Sequence, residues 1–276
     1  MIFKIIKLLI IIVVLVFIVL LVWFKINKDM NVLILGVDSS DKYTHHADTI
    51  MLMSFNTKES KIIFVSIPRD TLVSFRGKNV KINEVYVYNF SKGGHKDASS
   101  KVTREVEKLL NISIPYYIQT NYDGVKEIVD LLGGARVKIE KKMCYEDKSC
   151  GLTINFKPGI YDLNGKKVIE YLRFRADNQA DFGRIERHQK FLFTILNDCK
   201  KKLTIKEIPL IYKAIYKHMN TNISLDKAIF LFEKFNKFEL NKSEKIVLPG
   251  EDIKINGIYF WKPDYHEIDE IVKKIR

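Results

Sequence analysis

Residues 31–38 of the sequence read NVLILGVD, an apolar run that ends in an aspartate. A short continuous apolar run bounded by polar residues is typical of a strand that is buried on both faces of a sheet. Residues 49–55 and 61–67 have the same character, and the five polar residues between them have the length of a hairpin turn. Pro68 ends the third run. These strands are predicted to form the centre of the fold.

Helical and strand patterns alternate through the rest of the chain. The apolar spacing predicts helices at about 97–110, 122–132, 164–172, 183–200, 205–218, 224–237 and 264–275, and strands at 116–119, 135–140 and 245–248. Residues 141–160 are predicted to be a polar connection. No linker rich in Pro, Gly or Ser interrupts the alternation. We therefore predict one three-layer α/β domain, in which helices flank both faces of a central mixed β-sheet.

The N-terminal segment has a different composition. Residues 8–24 contain no polar residue, and a helix of this length can cross a bilayer. The first alanine is Ala47, so an A-x-A-like cleavage site is absent near this segment. We predict a short cytoplasmic tail and a transmembrane anchor at 1–28 and an extracytoplasmic catalytic domain at 29–276. The predicted localisation is the cell membrane, as a single-pass protein.

Net charge and cysteine content restrict the possible partners. The chain has 276 residues and a net charge of +13, which favours anionic partners such as phosphorylated glycans, nucleic acid or an anionic membrane surface. A lysine-rich genome also gives its proteins a net positive charge, whether or not they bind an anionic partner. Three cysteines are too few for a disulfide framework. A small-loop disulfide between Cys144 and Cys150 stays open, and Cys199 is predicted to pack in the core.

Charged residues follow the predicted strands. Asp38 and the pair Arg69 and Asp70 fall at the carboxyl ends of strands, where open α/β sheets bind ligands, and Asp48 directly precedes a strand. Carboxylates without a cluster of Cys or His suit Mg²⁺ better than Zn²⁺. Each residue alone has a simpler interpretation, because aspartates also cap turns.

Residues 171–191 read YLRFRADNQADFGRIERHQKF and contain four arginines. Helical spacing begins after Asp181, which is a candidate N-cap, and Arg184 then lies in the first helical turn. Guanidinium groups at a helix N-terminus favour phosphate, because the free N–H groups and the helix dipole also attract anions. The alternative is a solvated helix face with ion pairs between neighbouring turns.

Several motifs together resemble the LytR–CpsA–Psr family of envelope proteins. They are NVLILGVDSS (31–40), HADTIMLMSFN (46–56), IIFVSIPRDTLV (62–73), KINEVYVY (81–88), YDGVKEIVDLLGGARV (122–137), YLRFRADNQADFGRIERHQKFL (171–192) and LPGEDIKINGIYFWKPD (248–264). They occur in the family's order, and the resemblance extends from about residue 30 to the C-terminus. Two positions depart from the family pattern: His46 replaces an arginine, and His188 replaces a glutamine.

The resemblance implies a Mg²⁺-dependent phosphotransferase, with Mn²⁺ as an alternative ion. Family members move a glycopolymer from a polyprenyl diphosphate carrier to peptidoglycan through a phosphodiester bond. The implied metal ligands are Asp38 and Asp48, and the implied catalytic residues are Arg69, Arg175, Arg184 and Asp181. The implied substrate-binding residues are Arg173, Lys81, Arg187 and Gln189.

Other functions use the same features. A polyprenyl diphosphate pyrophosphatase has the same site with water as the acceptor. A membrane-bound regulator of envelope synthesis and a lipid-binding scaffold without turnover are further alternatives. Nucleic acid is not an expected partner, because the sequence has no helix-turn-helix or RRM signature.

Overall fold

The structure is a computed structural model that describes residues 30–38, 45–147, 152–174 and 180–276. Its strands are β1 Met30–Asp38, β2 His46–Asn56, β3 Lys61–Ile67, β4 Leu72–Phe75, β5 Lys78–Lys81, β6 Tyr116–Thr120, β7 Ala135–Ile139, β8 Met143–Asp147, β9 Leu152–Phe156, β10 Gly159–Leu163, β11 Met219–Thr221, β12 Glu244–Val247, β13 Gly250–Ile255 and β14 Ile258–Pro263. Its α-helices are α1 Ile82–Leu110, α2 Tyr122–Leu131, α3 Gly165–Arg173, α4 Ala180–Lys202, α5 Ile208–Ile215, α6 Leu225–Phe235 and α7 Tyr265–Ile275. Short 3₁₀ turns lie at Ile205–Glu207, Tyr216–His218 and Leu240–Lys242.

The central sheet has the strand order β11-β6-β1-β2-β3-β12 in the described part of the chain. Strand β2 is antiparallel to both β1 and β3, whereas β1–β6 and β3–β12 are parallel pairs. The sheet is therefore mixed, as predicted from the apolar runs and the helices between them.

Alternate residues of the central strands face separate cores. Leu33 and Leu35 pack with residues of α1 and α7 on one face. Val32, Met53 and Phe55 pack with residues of α4 and α6 on the other. Another core lies among β7, β9, α3 and α4. Helices thus cover both faces of the sheet, because strands in its centre have no polar face to present to water.

The structure corrects several predicted elements. Helix α1 starts at Ile82 rather than at residue 97, and Gly94 interrupts it with φ 67° and ψ −165°. Its first part is rich in β-branched and aromatic residues, which are weak helix formers. The helix forms because Ile82, Val85 and Tyr86 are buried against the sheet and Glu84 accepts a hydrogen bond from the Lys81 backbone N–H.

The predicted polar connection at 141–160 contains the paired strands β8 and β9 instead, and β10, which pairs with β7, begins at its end. Cys144 is exposed on β8, and Cys150 lies outside the described residues. Cys199 is half-buried on the apolar side of α4, where burial raises the pKa of its thiol to about 11.

The predicted localisation also has to be corrected. In the ranges that the structure describes, no helix is both long and apolar enough to cross a membrane, so the structure gives no support to a single-pass anchor. Segment 1–28, on which that prediction depended, lies outside the described residues.

Candidate functional site

A bulge between β1 and β2 places Asp48 at the site. Gly36 pairs with Thr49 and Val37 pairs with Ala47, so Asp48 is an extra residue in the ladder. A bulge changes the direction of the strand and of its side chains, and bulges are common beside active sites. Gly36 is needed here, because a Cβ atom at this position would lie 2.9 Å from the Cβ of Thr49.

An apolar cavity of about 420 Å³ lies between the sheet and the helices that cover it. Its walls come from β1, β2, β6 and helices α2, α4, α5 and α6, and they consist mainly of aliphatic and aromatic side chains. Near one end the lining becomes polar, with Asp38, Asp48, Thr49, Asn121 and His188. The cavity is therefore suited to a long apolar group whose one end carries a charge.

A smaller cavity of about 80 Å³ adjoins this polar end. Asp48, Thr49 and His188 line both cavities. Arg69 and Arg184 also line the small cavity, and the Nη1 atom of Arg69 donates to Oδ1 of Asp48 at 2.7 Å. The side chain of Arg184 is enclosed, since the residue is only 3% exposed. Charged groups from β2, the β3–β4 connection and the N-terminal part of α4 thus meet in one pocket.

His188 lies at the junction of the two cavities. Its Nε2 atom is 3.2 Å from the carbonyl oxygen of Leu172, and its Nδ1 atom is 2.7 Å from Oγ1 of Thr49. A carbonyl oxygen can only accept, so Nε2 carries the proton, and the Thr49 hydroxyl donates to Nδ1. Enclosure within the protein, and secondly the charge of Arg184, lower the pKa of His188 to about 4. The ring is neutral near pH 7 and acts as a hydrogen-bonding group.

The outer rim of the small cavity contains residues that were not predicted as site residues from their sequence pattern. Phe182 and Trp261 meet edge to face there, with ring centroids 5.3 Å apart, and Asp70 and Asp252 complete this part of the lining. Trp261 belongs to the motif at 248–264, and residues 250–263 form the hairpin β13–β14. The Asn256-Gly257 dipeptide at its turn, with φ 49° and 84°, was the available sequence signal for this hairpin.

Three other predicted substrate-binding residues have contacts in the structure: Lys81, Arg173 and Arg187. Lys81 forms an ion pair with Asp70, with Nζ 3.0 Å from Oδ1. The Arg173 guanidinium lies 5.6 Å from the ring centroid of Tyr122, which lines the apolar cavity. Arg187 donates to the carbonyl oxygen of Phe174.

Gln189 lies among the described residues that line neither cavity. Its amide nitrogen donates to Oγ of Ser66 at 2.8 Å and to the carbonyl oxygen of Ile246 at 3.0 Å. These bonds tie α4 to strands β3 and β12, so the structure assigns Gln189 a packing contact. Its substrate-binding role stays a prediction.

Two of the four predicted catalytic residues cannot be placed. Arg175 lies outside the described residues. Asp181 is within α4, but its side chain is outside the described part, so its role as an N-cap also stays a prediction.

The donor set for a metal ion is small. In the described ranges, no three residues of the types His, Cys, Asp and Glu are grouped as a metal site. Asp38 and Asp48 both line the polar end of the apolar cavity. Because Mg²⁺ is commonly held by one or two carboxylates together with waters and substrate phosphates, this pair fits Mg²⁺ bound with a phosphorylated substrate.

Comparisons with known proteins identify relatives of this chain. The chain is 30% identical to the polyisoprenyl-teichoic acid–peptidoglycan teichoic acid transferase TagU of Bacillus subtilis over 89% of this chain and 76% of that protein. The corresponding Oceanobacillus iheyensis protein is also 30% identical, over 91% of this chain and 77% of its own.

Solved structures have the same fold. That of B. subtilis TagV has a TM-score of 0.74 at 25% identity and covers 90% of this chain and 96% of its own. A structure of TagT bound to LIIa-WTA has a TM-score of 0.70 at 26% identity and covers 91% and 90%.

The LytR_cpsA_psr family model matches residues 19–276, which is most of the chain. The curated relatives are named as transferases, which confirms the prediction that the chain is an enzyme of this class. On the motifs, the fold and this match, the chain belongs to the LytR_cpsA_psr family.

Proposed function

We propose that the protein transfers a glycopolymer from a polyprenyl diphosphate carrier to peptidoglycan and leaves a phosphodiester bond. The main support is the direct junction between an apolar cavity and an arginine-containing pocket at Asp48, Thr49 and His188. The substrate class has the same division, because a polyprenyl diphosphate is a long apolar chain with a doubly charged end. The proposed catalytic domain is residues 29–276.

The apolar cavity is the proposed site of the polyprenyl chain. A volume of about 420 Å³ holds about fourteen groups of the size of a water molecule or a methylene. Each buried methylene contributes about 0.8 kcal/mol of transfer free energy. Such a cavity therefore accepts part of a polyprenyl chain, and its gross transfer free energy of about 11 kcal/mol is comparable with the roughly 4–15 kcal/mol that association of one ligand costs.

The small cavity is the proposed site of the diphosphate. Arg69 and Arg184 line it, and guanidinium groups bind phosphate oxygens in a bidentate manner. Lys81 pairs with Asp70 of the small cavity, and Arg173 lies against Tyr122 of the apolar cavity. The proposed ligands of the outer oxygens are these two residues together with Arg187 and Arg175. Low dielectric in this enclosed pocket strengthens each contact with the developing negative charge.

Asp38 and Asp48 are the proposed ligands of Mg²⁺, for which Mn²⁺ is an alternative. When bound there, the ion would neutralise charge on the diphosphate oxygens and stabilise the leaving phosphate. Arg69 holds the carboxylate of Asp48 in place through the 2.7 Å contact. Its positive charge offsets the repulsion between this carboxylate and the phosphates.

The reaction exchanges one phosphorus–oxygen bond for another. A peptidoglycan hydroxyl oxygen attacks the phosphorus that carries the glycan, and the bond from that phosphorus to the bridging oxygen breaks. The electron pair stays on the departing polyprenyl phosphate, and the hydroxyl proton passes to a base. Asp181 is the proposed base or the residue that orients Arg184.

The test is transfer by the purified full-length chain supplied with a lipid-linked glycan, Mg²⁺ and peptidoglycan. Mass spectrometry should detect muramyl phosphate carrying the glycan when the acceptor is present. Arg69→Ala should lower the rate at least about 100-fold, since it removes a charge-assisted contact in an enclosed site. The control is Arg136→Ala, because Arg136 is exposed on β7.

Release of the glycan phosphate at the same rate without peptidoglycan would instead identify a pyrophosphatase. Absence of any diphosphate cleavage by the folded wild-type chain would refute both reactions.

A further inference from the structure

Aromatic residues continue outward from the small cavity along the β13–β14 hairpin. Phe182 and Trp261 form the rim, and Tyr259 precedes Trp261 by two residues on β14. Side chains two residues apart in a strand point to the same face, at a spacing of about 6.7 Å. Phe182 is 45% exposed and Tyr259 is 63% exposed. We call these three residues the aromatic strip.

Charged residues of β13 lie beside the aromatic strip. Asp252 pairs with Trp261 across the hairpin, and Lys254 pairs with Tyr259. The ammonium group of Lys254 lies 5.0 Å from the centroid of the Tyr259 ring. Residues directly opposite in an antiparallel pair lie on one face, so this face presents rings beside hydrogen-bonding groups.

The Trp261 ring is held in a fixed position. Its Nε1 atom donates to the carbonyl oxygen of Leu248 at 3.0 Å, and its backbone N–H donates to the carbonyl oxygen of Asp70 at 2.9 Å. Phe182 contacts the same ring from the first turn of α4. A rigid ring in a half-exposed position is suited to binding, because little conformational entropy is lost when a ligand packs on it.

We propose that the aromatic strip and Asp252 bind the glycan strand of the acceptor, as a chain of N-acetylated pyranose rings. This inference rests on the proposed transferase function. The carbon–hydrogen face of a pyranose packs on an aromatic ring, and its hydroxyl and amide groups pair with a carboxylate or an ammonium group. A strip that leads away from the pocket along a hairpin matches a polymer better than a single sugar.

The direction of attack favours the acceptor over the donor. In phosphoryl transfer the attacking and leaving oxygens are roughly in line. The leaving polyprenyl phosphate lies toward the apolar cavity. Phe182, Trp261 and Asp252 are among the described residues that line the small cavity and not the apolar one. An acceptor hydroxyl that approaches opposite the leaving group therefore arrives over this rim.

The first experiment measures binding without any reaction. The chain has two tryptophans, Trp23 and Trp261, so the variant Trp23→Phe reports on Trp261 alone. Soluble strands of alternating N-acetylglucosamine and N-acetylmuramic acid should change its emission in a saturable manner. Absence of a change at millimolar saccharide would overturn the proposal. This result does not depend on whether the chain transfers a glycan, because no donor is present.

The second experiment separates acceptor from donor. In the transfer assay, Phe182→Ala should raise the KM for acceptor strands about tenfold, with the KM for the donor unchanged, because truncation removes part of the apolar contact. Tyr259→Ala should weaken binding of longer strands and leave the disaccharide unaffected. Tyr145→Ala is the control, since Tyr145 is a 38% exposed aromatic residue on β8.

A raised KM for the donor with an unchanged KM for the acceptor would assign the strip to the donor glycan and overturn the proposal. Unchanged constants for both substrates in Phe182→Ala would also overturn it. Failure of the proposed function has a different signature, because no variant, including the wild type, would then transfer the glycan.

Discussion

Replacement of His188 by glutamine should remove a pH dependence of stability. His188 has an unfolded-state pKa near 6.5 and a pKa of about 4 in the folded chain, mainly because it is enclosed and secondarily because Arg184 is close. Between pH 6.5 and pH 4 the unfolded chain binds a proton at this site that the folded chain does not. The part of the free energy of unfolding that comes from this pKa difference is therefore fully present above pH 6.5 and is lost as the pH falls toward 4.

The expected loss is between about 2 and 3 kcal/mol over this interval, since one pKa unit corresponds to about 1.4 kcal/mol. Glutamine does not titrate, and it can still donate to the Leu172 carbonyl and accept from the Thr49 hydroxyl. His188→Gln should therefore have similar stability at pH 7 and be more stable than the wild type at pH 4.5.

Urea unfolding of both proteins at pH 7.0, 5.5 and 4.5 measures this difference directly, and carboxylates that titrate in the same range cancel in the comparison. His266→Gln is the control, because His266 is exposed at the start of α7. Parallel pH profiles for the wild type and His188→Gln would refute the assignment of His188 as an enclosed, neutral hydrogen-bonding group.

Further predictions concern the cavity, the metal and helix α4. Leu196→Trp should weaken binding of a polyprenyl diphosphate at least about 100-fold by filling the apolar cavity, whereas Leu210→Trp on the exposed side of α5 should not, as measured by ligand-induced shifts in melting temperature. Asp48→Asn should abolish the stimulation of transfer by Mg²⁺ over a titration from micromolar to millimolar ion; equal stimulation would remove Asp48 from the metal site. Gln189→Leu should lower the free energy of unfolding by about 1–3 kcal/mol, because the Ser66 hydroxyl and the Ile246 carbonyl lose a hydrogen bond from the amide. The KM for the lipid-linked glycan should stay unchanged. A large rise in that KM would restore the substrate-binding role of Gln189.

The central sheet could be predicted from the sequence because its strands are continuous apolar runs. Residues 31–37 and 61–67 are buried on both faces, so their composition alone identifies them. The first part of α1 could not be predicted, since packing of Ile82 and Val85 decides its structure against weak helix propensity. The hairpin β13–β14 was missed because residues 258–261 are all apolar and do not alternate, although the Asn256-Gly257 turn signal was present.

The site was predicted as a set of residue types at strand ends, and the structure shows which of them meet. Asp48 and Arg69 are in contact, and Arg184 lines the same cavity. The contact depends on the bulge at Asp48, which a strand pattern does not reveal. The role of Gln189 in joining α4 to the sheet depends on tertiary geometry, and spacing along the helix could not indicate it.

His188 stands where the family pattern has a glutamine, and it can make the same hydrogen bonds. A glutamine and a neutral histidine each provide one donor and one acceptor, which the Leu172 carbonyl and the Thr49 hydroxyl require at this position. The change thus conserves the hydrogen bonds and adds a titratable group at the junction of the cavities. His46 pairs with Asp38 across the β1–β2 ladder and is half-buried there.

Photo-crosslinking tests the central claim most directly. A polyprenyl diphosphate glycan with a diazirine on its lipid chain is incubated with the full-length protein, irradiated, and the labelled residues are located by mass spectrometry. The account predicts labels on residues that line the apolar cavity, such as Leu192, Leu196 and Phe232, with the label lost in Leu196→Trp. Labels confined to the outer surface, with none on the cavity lining, would contradict it.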